Sequence, residues 1–161
     1  FVLMESKHID SACKLYHKHF QGLNSQLYQN FTNEEFAHFL LPRDDIVNTY
    51  VKVDKEGNVT DFFSFYTLPS SIFGVKEHDT LNVAYSFYNI ATTVSFKDLI
   101  KDALIASKSA NSDVYNMLHL SKNEECFTEL KFAPGDGTLY YYLYNWKTPQ
   151  FPDDQLGLVM F

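Results

Sequence analysis

Near its C-terminal end the chain reads LKFAPGDGTL over residues 130–139 and continues directly into YYYLYNW over residues 140–146. Pro134 restricts its own φ to about −65°, and the glycines that flank Asp136 permit positive φ around a carboxylate that can bond to its own backbone. Six of the seven residues that follow are aromatic or large and apolar, which strands favour, and Asn145 is the exception. The stretch predicts a sharp turn that leads into a strand over Tyr140–Trp146, with the tyrosines alternating between its faces.

The length and composition are those of one soluble globular domain. A chain of 161 residues buries about 68–70% of its unfolded surface, which is enough for a core of its own. Hydrophobic residues make up 45% and charged residues 20%, but 15 Phe and 11 Tyr are a large aromatic share. Aromatic rings in this number suit strands, cores and apolar clefts.

Charge and cysteine content exclude several function classes. The formal net charge of −7 argues against a surface for nucleic acid or an anionic membrane, and it is compatible with a basic peptide partner, although acidity serves solubility equally well. Cys13 and Cys126 form no metal-binding spacing, and the histidines have none either. We expect no metal site, and two reduced thiols in a cytoplasmic protein.

The beginning of the chain indicates that it comes from a longer protein. No apolar run approaches the roughly 20 residues that span a bilayer, and no secretion signal precedes the first element. The apolar residues Phe1–Met4 already look like a strand. A missing signal at this point therefore says nothing about the parent protein.

Apolar residues at helical spacing predict four helices. The first runs from about Ile9 to Leu23. Thr32 and Glu35 have the spacing of a capping box and open a short helix through about Phe39. The strongest helix, Ser95–Ser109, begins at a serine cap, and a short one is expected over Asn123–Leu130.

Between these helices the sequence predicts a run of strands. Ile46–Val53 and Val59–Leu68 are joined by a glycine-containing hairpin turn, and the second is expected to be central because it alternates too little to expose one face. Pro69 is expected to end it. Further strands are predicted at Leu81–Ile90 and Val114–Leu118. The order of elements predicts an α+β domain with a mixed, largely antiparallel sheet and packed helices.

Several motifs resemble one known family. They are EEFAHFLLP at 34–42, DFFSFYTLPS at 61–70, AYSFYN at 84–89, DALI at 102–105, DVYN at 113–116, KFAPGDG at 131–137 and GLVMF at 157–161. In this order and spacing they resemble N-myristoyltransferase, which acylates N-terminal glycines. The agreement is close from about Asn33 to Phe161 and loose before it. Ala133 and Leu156 stand where the family usually has Gly and Val, and the effect of Ala133 on the turn stays open.

The resemblance implies a fold, an activity and a partner. Residues 1–161 would form the C-terminal, peptide-binding half of an enzyme whose two halves each resemble a Gcn5-related acetyltransferase. The enzyme would transfer a myristoyl group from myristoyl-CoA to the glycine amine of Gly-terminated peptides or proteins. Myristoyl-CoA would be a co-substrate bound mainly by the missing N-terminal half, with no permanent cofactor. This half alone is therefore expected to be inactive.

The resemblance also implies roles for single residues. The family's general base is the α-carboxylate of the last residue, here Phe161, whose ordinary alternative is a solvated chain end. The other candidates would line the peptide cleft, with Ser70 and Asn116 as polar contacts, Tyr85 and Leu139 as pocket walls, and Asp136 and Gly137 against the substrate backbone or a substrate hydroxyl. Each also has a reading as a turn or core residue, and the Asp136 carboxylate often serves only its own turn in such a motif.

Two other functions stay open. A Gcn5-like acetyltransferase would need a Gln/Arg-x-x-Gly-x-Gly/Ala loop ahead of a helix, which the sequence lacks. A noncatalytic peptide-binding module of the same fold would keep the cleft without the chemistry. Transfer from myristoyl-CoA to a Gly-terminated peptide, tried with and without the other half, separates these readings.

Overall fold

A computed structural model of the chain describes residues 1–74, 78–120, 123–135 and 137–160. In chain order its elements are β1 (Val2–Leu3), a 3₁₀ turn (Ser6–His8), α1 (Ile9–Gly22), β2 (Leu27–Tyr28), α2 (Asn33–Leu40), β3 (Val47–Val53), β4 (Val59–Ser71), β5 (Thr80–Ile90), α3 (Phe96–Ser109), β6 (Val114–Asn116), two 3₁₀ turns (Asn123–Cys126 and Asp153–Gln155) and β7 (Leu156–Gly157). This α+β arrangement confirms the predicted fold class.

The main sheet has five strands in the order β1-β3-β4-β5-β6. Its pairs are antiparallel except β5 and β6, which run parallel. The prediction that the second strand of the hairpin is central is confirmed, because β4 lies between β3 and β5. A separate parallel pair joins β2 to β7 and ties the end of the chain to the region after α1.

Helices cover both faces of this sheet. Successive residues of a strand point to opposite faces. On β4, Phe62 packs in one buried cluster with Tyr16 of α1 and Phe36 of α2. Its neighbour Phe63 packs in a second buried cluster with Leu99 of α3. Burial on both faces explains why the sequence of β4 alternates too little to leave one face exposed.

The predicted starts of α2 and α3 and the hairpin are confirmed in detail. The Thr32 hydroxyl accepts from the backbone N–H of Glu35 at 3.2 Å, and the Glu35 carboxylate accepts from the backbone N–H of Thr32 at 2.8 Å. The Ser95 hydroxyl likewise accepts from the backbone N–H of Asp98 at 3.1 Å. In the turn between β3 and β4, Gly57 has a φ of 88°, which glycine adopts without strain.

The prediction that Pro69 ends its strand is wrong. β4 continues to Ser71, and Pro69 lies opposite Asn82 of β5. The ladder with β3 ends at the Val47–Tyr66 pair, so the last residues of β4 pair on one side only. A proline is tolerated there because its missing N–H does not interrupt a ladder on both sides.

The strand predicted over Tyr140–Trp146 is not present. This segment has no regular structure apart from a turn at Tyr144–Asn145, where Asn145 has a φ of 54°. Tyr142 is 86% exposed and Tyr144 is 92% exposed, so neither side chain packs in the core. A strand needs a partner for its backbone groups, and the main sheet of the described residues ends at β6.

Three other boundaries differ from expectation. The helix predicted over Asn123–Leu130 is a 3₁₀ turn at Asn123–Cys126 followed by further turns. β6 ends at Asn116 instead of Leu118. The last strand, expected from Gly157, is β7 at Leu156–Gly157, and β2 was not predicted because two residues are too few for a periodic pattern.

A buried carboxylate ties β4 to the loop before α3. Asp61 is fully buried, and it accepts hydrogen bonds from the backbone N–H groups of Thr92 at 2.6 Å and Thr93 at 2.7 Å, and from the Thr93 and Thr60 hydroxyls. Burial alone would raise the pKa of Asp61, but these hydrogen bonds outweigh it and lower the pKa. The loop is therefore held by an ionised group.

Candidate functional site

A large cleft opens where β5 and β6 pair at one end of the sheet. Its volume is about 1670 Å³, and four of the predicted substrate-binding residues line it: Tyr85, Asn116, Gly137 and Leu139. Its walls also include parts of segments 130–143 and 148–156. The fold therefore brings together candidates that are up to 54 positions apart in sequence, Tyr85 and Leu139.

The sheet fixes the first two of these residues. Tyr85 of β5 lies opposite Asn116 of β6 on one side and opposite Tyr66 of β4 on the other. The rings of Tyr66 and Tyr85 stack with their centroids 5.3 Å apart and their planes within 11°. Burial raises the pKa of the Tyr66 hydroxyl, as do the nearby hydroxyls of Tyr85 and Tyr141. The pair forms an aromatic wall of the cleft.

The glycine turn borders the cleft and is loosely packed within this chain. Gly135 does not adopt the positive φ that glycine permits, and a Cβ at Gly135 or Gly137 would meet no atom within 4 Å. Leu139 is 55% exposed. Asp136 lies outside the described residues. Packing inside this chain therefore does not require glycine at either described position.

Ser70 lies apart from the other described candidates. It is exposed near the end of β4, opposite Leu81, and it does not belong to the described residues that line the cleft. An even separation of four positions places Ser70 on the same face as Tyr66, at about 13 Å along the strand. Ser70 thus lies on the same side of the sheet as the cleft, beyond its aromatic wall.

The end of the chain docks beside the cleft. The backbone N–H of Gln26 donates to the carbonyl of Gln155 at 2.9 Å, and the β2–β7 pair continues this contact through Gly157. Leu156 is buried, and Met160 lines the cleft. Phe161 lies outside the described residues. The segment that leads to Phe161 is thus held by backbone pairing and reaches the cleft.

A close approach at Gly157 holds this segment in place. A Cβ built on Gly157 would overlap the ring of Phe20 and would lie 3.3 Å from Cβ of Tyr28. Phe20 is buried and stacks on Tyr28, with ring centroids 5.6 Å apart. Only glycine lets the tail lie this close to α1 and β2 without displacing a packed ring.

Two tyrosine hydroxyls contact the tail after Gly157. Tyr141 donates to the carbonyl of Leu158 at 2.7 Å, and Tyr88 accepts from the backbone N–H of Val159 at 3.4 Å. Burial raises the pKa of Tyr141, against the opposing effect of a hydrogen bond with the backbone of Met160. Burial likewise raises the pKa of Tyr88. Both hydroxyls therefore stay protonated and able to donate.

The described residues offer no metal site. No group of three His, Cys, Asp or Glu side chains within those ranges is arranged to hold an ion. Cys13 and Cys126 are free and buried, and burial raises the pKa of both thiols. No helix in the same ranges has the length and apolar character needed to cross a bilayer.

Residues 1–157 match the family model described as the C-terminal domain of myristoyl-CoA:protein N-myristoyltransferase. The chain belongs to this family. It is 43% identical over 158 residues to a glycylpeptide N-tetradecanoyltransferase of Plasmodium falciparum, a match that covers 98% of the chain and 38% of the relative. A glycylpeptide N-tetradecanoyltransferase of Drosophila melanogaster is 41% identical over 155 residues, covering 96% of the chain and 32% of the relative. The chain thus spans about a third of the length of these relatives.

Solved structures agree with this membership. The N-myristoyltransferase of Saccharomyces cerevisiae with bound myristoyl-CoA superposes with a TM-score of 0.87 at 29% identity, over 99% of this chain and 44% of the yeast chain. An acetyltransferase of Trypanosoma brucei superposes with a TM-score of 0.64 at 16% identity, over 88% of this chain and 96% of that chain. The second likeness concerns the fold alone, and it confirms the predicted acetyltransferase-like half.

Three residues of this N-myristoyltransferase domain were not identified as site residues from its sequence. Tyr66 and Tyr141 line the cleft, and Gly157 seats the tail. A glycine inside an apolar strand pattern signals a close backbone approach, so Gly157 carried a usable signal. Tyr66 and Tyr141 could not be identified from the sequence, because only their contacts in the folded structure distinguish them from the neighbouring tyrosines.

Proposed function

We propose that this chain is the C-terminal, peptide-binding half of a glycylpeptide N-tetradecanoyltransferase, with residues 1–161 forming that half. The whole enzyme transfers a myristoyl group from myristoyl-CoA to the amine of an N-terminal glycine. Two relatives that share more than 40% identity with the chain carry this activity in their names, and the yeast relative binds myristoyl-CoA. Because the chain spans about a third of those relatives, its partner is an N-terminal half that supplies most of the myristoyl-CoA site.

The reaction requires a neutral amine. The glycine nitrogen attacks the thioester carbonyl, an N–C bond forms, and the C–S bond breaks with coenzyme A leaving as the thiol. The ammonium form of glycine has no free electron pair, so one proton must first pass to a base. The nitrogen loses a second proton as the amide forms. One of the two protons ends on the coenzyme A thiol and the other is released, so the reaction from the ammonium form releases one proton overall.

The docking of residues 155–160 is the observation that carries the assignment of the base. Met160 lines the same cleft as Tyr85, Asn116 and Leu139, and the α-carboxylate of the chain belongs to the next residue, Phe161. The proposed base is therefore the last carboxylate of a docked backbone. No side chain of this half has to serve in its place.

The proton transfer needs help from the environment. The α-carboxyl pKa is about 3.3–3.7 and the amine pKa is about 7.7–8.0, so proton transfer from the ammonium to the carboxylate is unfavourable by about 4 pKa units, or about 6 kcal/mol. Removal from water raises the pKa of a carboxylate and lowers that of an amine. The apolar tail, with Val159 and Met160 before the terminal residue, and the aromatic wall of Tyr66 and Tyr85 supply such surroundings.

Each cleft residue is expected to contact a different part of the peptide. Tyr85 and Leu139 would form pocket walls, and Asn116 would meet a polar group of the peptide. Asp136 and Gly137 would meet the substrate backbone or a substrate hydroxyl, and the open space around Gly137 supports a close approach by peptide. Ser70 would contact peptide residues downstream of the glycine, since about 13 Å corresponds to four residues of extended chain.

Transfer assays with both halves test this function. The full-length enzyme should myristoylate a Gly-terminated peptide, whereas this chain alone and the same peptide with an acetylated amine should give no product. Transfer from acetyl-CoA in preference to myristoyl-CoA would favour the acetyltransferase alternative. Peptide binding without transfer by the full-length enzyme would favour a noncatalytic module.

Changes at the terminus test the base. Deleting Phe161, or extending the chain beyond it, should lower kcat sharply while the affinity for myristoyl-CoA stays nearly unchanged. The extension is the sharper variant, because it keeps every side chain and moves only the carboxylate. Full activity in a C-terminally extended enzyme would refute the carboxylate base.

A further inference from the structure

The last three described residues are held differently from the residues before them. Up to Gly157 the tail has a backbone partner in β2. Beyond it, the backbone hydrogen bonds of Leu158 and Val159 are made with the hydroxyls of Tyr141 and Tyr88. Two side chains thus continue the hold on the tail after the strand pair ends.

We propose that Tyr141 and Tyr88 are positioning residues that fix the backbone of residues 158–160, and through it the place of the terminal carboxylate. This inference rests on the proposed role of Phe161 as the base. The carbonyl of Leu158 and the N–H of Val159 are consecutive backbone groups, so holding both fixes the peptide plane between them.

The two tyrosines come from different parts of the fold. Tyr88 is 3% exposed and lies in the buried cluster that joins β5 to α1, so its hydroxyl is a fixed reference point. Tyr141 follows the glycine turn and lines the cleft. It therefore links the wall that would meet the peptide to the segment that carries the base.

The required precision explains why such a hold matters. A slip of one residue moves an extended backbone by about 3.3 Å and reverses its side chains. Reacting groups must lie within about 3–3.5 Å in the productive geometry, so such a slip would remove the carboxylate from the amine. The two-residue strand pair at β7 resists such a slip only weakly, and the hydroxyl contacts of Tyr141 and Tyr88 strengthen that resistance.

The chain offers a matched control. Tyr142 is the next residue after Tyr141, but it is 86% exposed. Tyr141→Phe and Tyr142→Phe each remove one hydroxyl and leave the ring. A difference between these two variants reports the Leu158 contact and not a general loss of phenol groups from the segment.

Steady-state kinetics of the full-length enzyme test the proposal. Tyr141→Phe should lower kcat by about two- to tenfold, the effect of one hydrogen bond, with KM for peptide and for myristoyl-CoA unchanged. Tyr142→Phe should match the wild type. Tyr88→Phe should have a smaller effect because its contact is longer, and the double variant should lose more activity than either single variant.

A pH profile separates positioning from simple loss of structure. As pH rises from about 7 to about 9, the peptide amine becomes neutral without help, so the deficit of Tyr141→Phe against wild type should narrow. A misfolded variant would show the same deficit at every pH. A constant deficit accompanied by a lowered Tm would overturn the proposal, and so would a raised peptide KM at unchanged kcat.

The two proposals fail in distinguishable ways. If deletion of Phe161 abolishes turnover and Tyr141→Phe has no effect, the base stands and the positioning role falls. If deletion of Phe161 leaves kcat unchanged, the base itself falls, and positioning falls with it. Loss in both variants, with a deficit for Tyr141→Phe that narrows at high pH, supports both.

Discussion

Replacement of Gly157 by alanine should loosen the C-terminal tail of the domain while the two main clusters stay folded. The added Cβ would overlap the ring of Phe20, a buried residue. That ring cannot swing away freely, because it contacts Tyr28 at 5.6 Å and Tyr16 at 4.7 Å between centroids. The tail, held by a two-residue strand and a few hydrogen bonds, is the part that can yield.

The size of the effect follows from this packing. Adding one methyl to a well-packed site costs about 1–3 kcal/mol. If the tail undocks to relieve that cost, the equilibrium between docked and undocked tail shifts by about 5-fold to about 150-fold, at tenfold per 1.4 kcal/mol. Turnover should fall with the docked fraction, since the proposed base is carried by this segment.

Hydrogen exchange of the full-length enzyme measures this opening directly. Amide protons of residues 156–159 should lose protection by the factor given above, whereas those of β4 should not change. Gly22→Ala is a matched control, because a Cβ at Gly22 meets nothing within 4 Å and the residue ends α1. The same substitution should there be neutral or stabilising by up to about 1 kcal/mol.

A double-mutant cycle tests whether the overlap with Phe20 causes the effect of Gly157→Ala. Phe20→Leu removes the ring atoms that the new methyl group would meet, so Gly157→Ala should cost less in that background. If the two effects simply add, the overlap with Phe20 is not the cause. Unchanged protection of residues 156–159 in Gly157→Ala would likewise contradict the proposed seating of the tail.

Three further predictions concern the buried carboxylate and the cleft. Asp61→Asn should lower the free energy of unfolding by about 1–3 kcal/mol, measured by urea unfolding, because the amide N–H of the new side chain would face hydrogen-bond donors. Since the folded pKa of Asp61 is lowered, its contribution to stability is complete above the unfolded pKa of about 3.9 and is lost as pH falls through the folded pKa. The difference in unfolding free energy between variant and wild type should therefore narrow only in that acidic range. Asp136→Ala should raise the peptide KM with little change in Tm, and a collapse of Tm with unaffected peptide binding would assign the carboxylate to its own turn. Leu139→Ser should raise the peptide KM while stability changes by no more than about 0.5 kcal/mol, because the side chain is largely exposed; an unchanged KM would remove Leu139 from the cleft wall.

Local chemistry made much of the fold predictable. The capping box at Thr32, the serine cap at Ser95 and the glycine turn before β4 each depend on residues within five positions, so sequence spacing contains the whole interaction. The central place of β4 was predictable for a related reason. A strand buried on both faces cannot alternate, and its sequence does not.

The two wrong strand predictions share a physical cause: whether a segment forms a strand depends on a neighbouring strand that its own sequence does not report. Pro69 is tolerated because β3 has already ended, and no property of Pro69 itself reports where a neighbour stops. Tyr140–Trp146 has the composition of a strand, but composition does not provide a partner for its backbone groups. In the candidate site, motif positions predicted that Tyr85, Asn116 and Leu139 would lie together, whereas Tyr141 and Gly157 became recognisable only through contacts with distant residues.

The proposed role of a terminal carboxylate as base explains why these distant contacts matter. A side-chain base is placed by its rotamer, which a few neighbours can lock. An α-carboxylate has no side-chain torsions of its own, so its position depends on the backbone of the residues before it. The domain would have to fix that backbone residue by residue, and this is what the pairing of Leu156 with Leu27, the close approach at Gly157 and the hydroxyl contacts at Leu158 and Val159 do in succession. A base of this kind requires order in the whole segment, whereas an ordinary chain end contributes little to stability and is free to fray.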